Sequence, residues 1–220
     1  MQTEQQILSS TVKYVKDRMQ QDSTGHGWWH VYRVWKVALK IAEEEKDPSL
    51  DLFIIQLAAL LHDVDDWKVR QPGANEDTNA RALLLKAGAD KGTIRKVCGI
   101  VRNVSFKGAD VKDTIMSQEG KIVQDADRLD AIGAIGIARA FAYGGHKGKP
   151  IYDPEIQPKR HETFAAYRES NSTTINHFYE KLLLIKERMN TETGKKLAAE
   201  RDRYIRAYLE RFLKEWALEE

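Results

Sequence analysis

Residues 52–63 of this 220-residue chain read Leu-Phe-Ile-Ile-Gln-Leu-Ala-Ala-Leu-Leu-His-Asp. Leu52–Leu61 is apolar nearly all round, interrupted only by Gln56, which predicts a helix at the centre of a bundle. A buried parallel-sheet strand is the rival for so short a run, but no second strand-like run stands nearby. The stretch is also far short of the ~20 residues that span a bilayer. His62-Asp63 at its end needs an explanation, because a buried His or Asp is costly unless paired or bound to a metal. Capping of the helix C-terminus by the imidazole, with the acid facing water, is the simpler alternative.

Working outward, the pattern stays helical. Upstream, Val31, Val34, Trp35, Ala38, Ile41 and Ala42 form one stripe over 29–45. Asp47-Pro48-Ser49 breaks the chain, with Pro48 placed to open the next helix. Downstream, helices are predicted at 78–87, 91–103, 118–128, 131–143, 172–189 and 191–216. Thr191-Glu192-Thr193 offers capping chemistry for the last, against the cost of Gly194, and Asp77-Thr78 does so for 78–87. Loops are expected at 69–75, 108–113 and 144–157. The expectation is an all-α chain forming one domain over 1–220, with a core at about 25–145 and a C-terminal helical pair at about 160–216 packed on it.

Composition narrows the function. Lys+Arg of 35 against Asp+Glu of 33 leaves a net charge of +2, which gives no reason to expect a nucleic acid or an anionic membrane as partner. With 42% hydrophobic residues the chain can bury a core, which argues against intrinsic disorder. The single cysteine, Cys98, excludes an intrachain disulfide and a Cys-cluster zinc site, and fits a reducing cytosol. The N-terminal Met1-Gln2-Thr3-Glu4-Gln5-Gln6 lacks signal-peptide character, so a cytoplasmic location is expected.

Other polar residues sit in helical context. His30 is followed by Arg33 three residues on, one turn away on the same helix face. Gln124-Asp125-Ala126-Asp127-Arg128 places carboxylates and an arginine among Ile122, Val123 and Leu129. The order His30, His62-Asp63, Asp127, in the runs HGWWHVYRV, LAALLHDVDDWK, QDADRLDAIGAIGIARAFAYGG and INHFYEKLLLIKERMNTETGKKLA, resembles the HD-domain superfamily of metal-dependent phosphohydrolases. It is most similar to a bacterial subgroup described as HD hydrolases, some with nucleoside triphosphate pyrophosphohydrolase activity. The resemblance covers about residues 25–216.

That resemblance implies a single HD-domain helical bundle with additional C-terminal helices. It implies His30, His62, Asp63 and Asp127 as ligands of a divalent metal, with Asp125 as the competitor for the fourth place. Two imidazoles with two carboxylates suit Mn, Fe, Ni, Co or Mg with open positions for water. Binuclear members carry extra histidines between the HD pair and the last Asp; from Val64 to Ala126 there are none, so one metal ion is expected. His26 is read as a supporting or capping residue, with direct ligation as the alternative. The implied reaction is hydrolysis of (deoxy)nucleoside triphosphates to monophosphate and pyrophosphate by metal-activated water. Asp63 and Asp66 are the catalytic candidates, Asp66 as general base with Asp65 as fallback. A solvated acidic turn after the helix is the alternative reading of Asp65 and Asp66.

Arg33, Lys68, Lys107, Arg128, Arg139, Lys147 and Lys149 are the cations that could offset substrate phosphates. The aromatic, Gly- and Lys-containing loop near 141–154 could close over a nucleotide, although its spacing matches no P-loop. Trp28-Trp29 packs in the core or stacks one ring on a base. His146, His161 and His177 read as surface or structural. The rival functions are a nucleotide monophosphatase, a (p)ppGpp or cyclic-nucleotide hydrolase, and a nucleotide-binding sensor without turnover. A homodimer is left open.

Overall fold

The computed structural model describes residues 2–20, 25–65, 78–104, 116–159 and 172–219. They are helical, with no strand among them. In chain order the helices are α1 (Glu4–Arg18), α2 (Trp28–Glu45), α3 (Leu52–Leu61), α4 (Thr78–Lys86), α5 (Lys91–Val104), α6 (Gln118–Asp130), α7 (Gly133–His146), α8 (Thr174–Glu180) and α9 (Glu192–Ala217). They fall into two compact units, which divide after Asp127, within α6.

The first unit is organised around α3. Its residues from Ile54 to Leu61 are buried except Gln56, because α1, α2 and α5 pack around it. The strand alternative is thereby excluded. Its start is set by Asp51, whose carboxylate accepts from the Ile54 amide at 3.1 Å. Pro48 is therefore not the opener: Asp47 instead closes a tight turn by accepting from the Ser49 amide and hydroxyl. α2 buries Val31, Val34, Ala38, Ile41 and Ala42 and ends on Lys46 in the left-handed region at φ 53°. α1 was not predicted. A capping box opens it, with Thr3 and Gln6 bonding each other's backbone amides, and its buried stripe is Ile7, Thr11 and Val15.

The second unit is built on α7, α8 and α9. Phe141, Phe178 and Tyr208 form an aromatic cluster, with Phe178 stacked on Tyr208 at 6.1 Å between ring centroids. The predicted continuous helix over 172–189 is replaced by α8 and two short 3₁₀ turns, Leu182–Leu184 and Lys186–Arg188. Leu182, Ile185 and Met189 keep the helical spacing, so their burial hides the break. The break leaves the Arg188 carbonyl to accept from the buried Arg128 guanidinium. The loop expected from residue 144 also starts later, since α7 runs to His146. Gly144 serves packing rather than a turn: a Cβ there would collide with the Thr174 hydroxyl. Thr191 caps α9 as predicted, accepting from the Gly194 amide at 2.9 Å.

Candidate metal centre

The centre lies within the first unit. His30 projects from the buried face of α2, and His62 and Asp63 follow α3 directly. Asp127 comes from α6; Asp125, two residues earlier, points about 200° away around the helix. The His30 and His62 Nε2 atoms are 3.1 Å apart. Asp63 Oδ2 lies 3.2 Å from His30 Nε2, and its Oδ1 3.5 Å from His62 Nε2. Asp127 Oδ1 is 3.6 Å from His30 Nε2 and 3.7 Å from His62 Nε2.

The tautomer of His62 follows from its neighbours. Nδ1 is 2.8 Å from the Ala59 carbonyl, which can only accept, so Nδ1 carries the proton. In the neutral ring Nε2 then presents its lone pair to the centre, as a metal ligand requires. Donors about 2.1 Å from one ion sit about 3.0 Å apart at right angles and about 3.4 Å apart tetrahedrally. The five observed spacings run from 3.1 to 3.7 Å, two within that range and three a few tenths beyond it, and the donors form two overlapping groups that could hold a cation with nitrogen and oxygen ligands: His30, His62 and Asp127, and His26, His30 and Asp63. Access is graded: both imidazoles are 1% exposed, Asp63 13% and Asp127 26%. Solvent therefore reaches the carboxylates and not the rings.

Burial by itself pushes the Asp63 carboxyl up. The charge on His62, with contacts from His26 and His30, outweighs it and holds the group well below the usual carboxylate range. His26 stands just before α2, its Nδ1 3.6 Å from Asp63 Oδ2 and its ring edge-on to His30 at 5.7 Å.

The other predicted residues are distributed as follows. Asp65 is buried, and its carboxylate accepts from the Asn79 amide, the Asn79 side chain and the Ala80 amide at 2.8–2.9 Å. It closes the first turn of α4. That assignment needs contacts across 14 residues and has no local signature. Asp66, Lys68, Asp77, Lys107 and His161 lie outside the described residues. Arg33 is part-buried on α2, one turn from His30. In the second unit, Arg128 donates to the Arg188 carbonyl, and Arg139 bonds the Asp130 carboxylate at 2.9 Å. Lys147 is exposed at the end of α7, its Nζ over the Tyr143 ring. The segment after it is tied to α8, with Pro150 and Ile151 carbonyls accepting from Thr174 and Ile175. Trp28 is buried and Trp29 exposed.

A His-Asp pair directly after a central apolar helix, approached by His30 of α2 and Asp127 of α6, is the arrangement of an HD domain, and residues 28–132 match that family. The chain belongs to the HD domain family and carries its hydrolase fold. It is 37% identical over 204 residues to the uncharacterized protein YpgQ of Bacillus subtilis (strain 168), covering 92% of this chain and 90% of that one. A crystal structure of an HD-superfamily hydrolase from Bacillus thuringiensis superposes with a TM-score of 0.73 at 40% identity, covering 98% of this chain and 99% of the other. The crystal structure of Bacillus subtilis YpgQ in complex with ADP gives a TM-score of 0.75 at 34% identity, covering 97% and 96%. Among the described residues, no helix is long and apolar enough to cross a membrane.

Proposed function

We propose that this chain is a metal-dependent phosphohydrolase that cleaves (deoxy)nucleoside triphosphates to the monophosphate and pyrophosphate. The observation that carries the reading is that Asp63 and Asp127 both approach the paired His30 and His62 Nε2 atoms, His30, His62 and Asp127 forming a group that could hold a metal ion and Asp63 sharing His30 with it. The ADP-bound structure of a relative supports a nucleoside polyphosphate as the ligand class. When bound, the cation supplies Lewis-acid activation of water and of a phosphate oxygen.

The protein's own residues do the rest. His62 is fixed in one tautomer by the Ala59 carbonyl, and His30 is held by its burial on α2. Asp63 stays ionised beside the imidazoles and supplies the negative charge that offsets part of the cation's. Arg33 is the cation that meets the phosphate chain, one turn from His30. Asp66 receives the proton of the attacking water, a role closed to Asp65 because three donors already occupy that carboxylate.

The test is product analysis after incubating the protein and Mn²⁺ with dATP, dGTP, ATP and GTP. The reading expects pyrophosphate and monophosphate in equal amounts, with both lost in a His62→Ala/Asp63→Ala variant. Orthophosphate as the only inorganic product makes the enzyme a phosphatase. Tight nucleotide binding without turnover makes it a sensor. Either result overturns the proposal.

A further inference from the structure

We propose that His26 is a positioning residue that fixes the orientation of the Asp63 carboxylate toward the metal centre. The inference rests on the metal-centre reading above. An aspartate's terminal torsion is broad, so a ligating carboxylate needs a second partner to hold its plane. Asp63 Oδ1 faces His62, whereas Oδ2 faces both His30 and His26. The His26 Nδ1–Oδ2 separation of 3.6 Å lies just beyond hydrogen-bond distance, and a small rotation of either side chain closes it; the same atoms place His26 with His30 and Asp63 in a group that could hold an ion, so direct ligation by His26 is the rival that the test must exclude.

The backbone brings His26 there by design of the turn before α2. Gly25 at φ 84° takes a left-handed conformation that favours glycine. Gly27 caps α2 without a side chain, and the Trp28 amide donates to the Met19 carbonyl at 3.0 Å, anchoring this turn to the end of α1. His26 thus stands on the rim, 30% exposed, packed edge-on against the buried His30. The orienting role does not need a charged ring, because a neutral ring protonated on Nδ1 also donates to the carboxylate, more weakly than a cation would.

Three variants separate the N–H from the ring: His26→Ala removes both, His26→Phe keeps the ring, and His26→Asn keeps a donor near the Nδ1 position. Mn²⁺ affinity is measured by calorimetry on the full chain, with thermal melts of the metal-free proteins as the folding control. His26→Ala and His26→Phe are expected to bind about 10–100-fold more weakly, and His26→Asn within about threefold of wild type. At saturating Co²⁺ the visible spectrum of His26→Ala is expected to keep the wild-type band, since the coordinating set is unchanged. Wild-type affinity in His26→Phe overturns the proposal. So does a His26→Asn variant as weak as His26→Ala, or a spectrum in His26→Ala that reports a lost ligand. No Mn²⁺ binding by the wild type removes the metal centre itself, which is a distinguishable failure.

Discussion

Asp65 and Asp66 are adjacent acids beyond the HD pair, and replacing Asp65 by asparagine tests whether Asp65 serves α4 and not the reaction. The Asp65 carboxylate accepts three hydrogen bonds at 2.8–2.9 Å, two on Oδ1 from Asn79 and one on Oδ2 from the Ala80 amide. Asparagine retains one oxygen, so at least one of the two sites must face an NH₂ group instead. Losing a charge-assisted bond and stranding a buried amide costs about 1.5–3 kcal/mol, and losing the negative charge at the start of α4 adds about 0.3–1 kcal/mol. A total of about 2–4 kcal/mol corresponds to a fall in Tm of about 4–16 °C for a chain of this size. The assay is thermal denaturation of the metal-free protein by circular dichroism, paired with triphosphate turnover well below the melt. The expected outcome is a lower Tm with turnover within a few-fold of wild type. A variant that melts within 1 °C of wild type but loses turnover more than ~100-fold would refute the reasoning, because Asp65 would then act on substrate rather than on α4.

Three further substitutions probe other parts of the account. Gly144→Ala drives a methyl group into the Thr174 hydroxyl and is expected to destabilise the protein by about 1–3 kcal/mol in urea; a neutral result would contradict the packing role given to this glycine. Lys46→Gly relieves an exposed left-handed residue at the end of α2 and should raise stability by about 1 kcal/mol, read from the same titration. Asp63 carries a pH signature. Its carboxyl is held below the ordinary range, so its contribution is fully present above the unfolded-chain value of about 3.9 and is lost as pH falls through the lower folded value. In metal-free protein, wild type should therefore lose up to about 1.4 kcal/mol per pH unit relative to Asp63→Asn below about pH 4. A difference unchanged down to pH 2 contradicts this.

Much of this site can be read in the sequence because its candidate ligands sit on or directly after strongly patterned helices. An all-apolar run such as Leu52–Leu61 has no exposed face, so its burial and the placement of His62-Asp63 follow together. α1 escaped notice because its buried stripe includes Thr11, whose hydroxyl is satisfied by the Ile7 carbonyl. The Thr3–Gln6 capping box was the available signal. The break after α8 is invisible for the opposite reason: Leu182, Ile185 and Met189 keep helical spacing while the backbone shifts to 3₁₀ turns. Asp65 anchoring α4 and Arg128 reaching the Arg188 carbonyl are contacts across 14 and 60 residues, which no local pattern encodes. Choosing between Asp125 and Asp127 likewise depends on which side of α6 faces His30 and His62.

The central claim is that one divalent cation is held by two imidazoles and two carboxylates. A crystal of the Mn²⁺-loaded protein, with data collected for anomalous scattering from manganese, tests it directly. The account predicts one anomalous peak per chain, within about 2.0–2.3 Å of His30 Nε2, His62 Nε2 and an oxygen of each of Asp63 and Asp127. Two peaks at the centre, or a single peak that leaves out Asp127 in favour of another side chain, would contradict it.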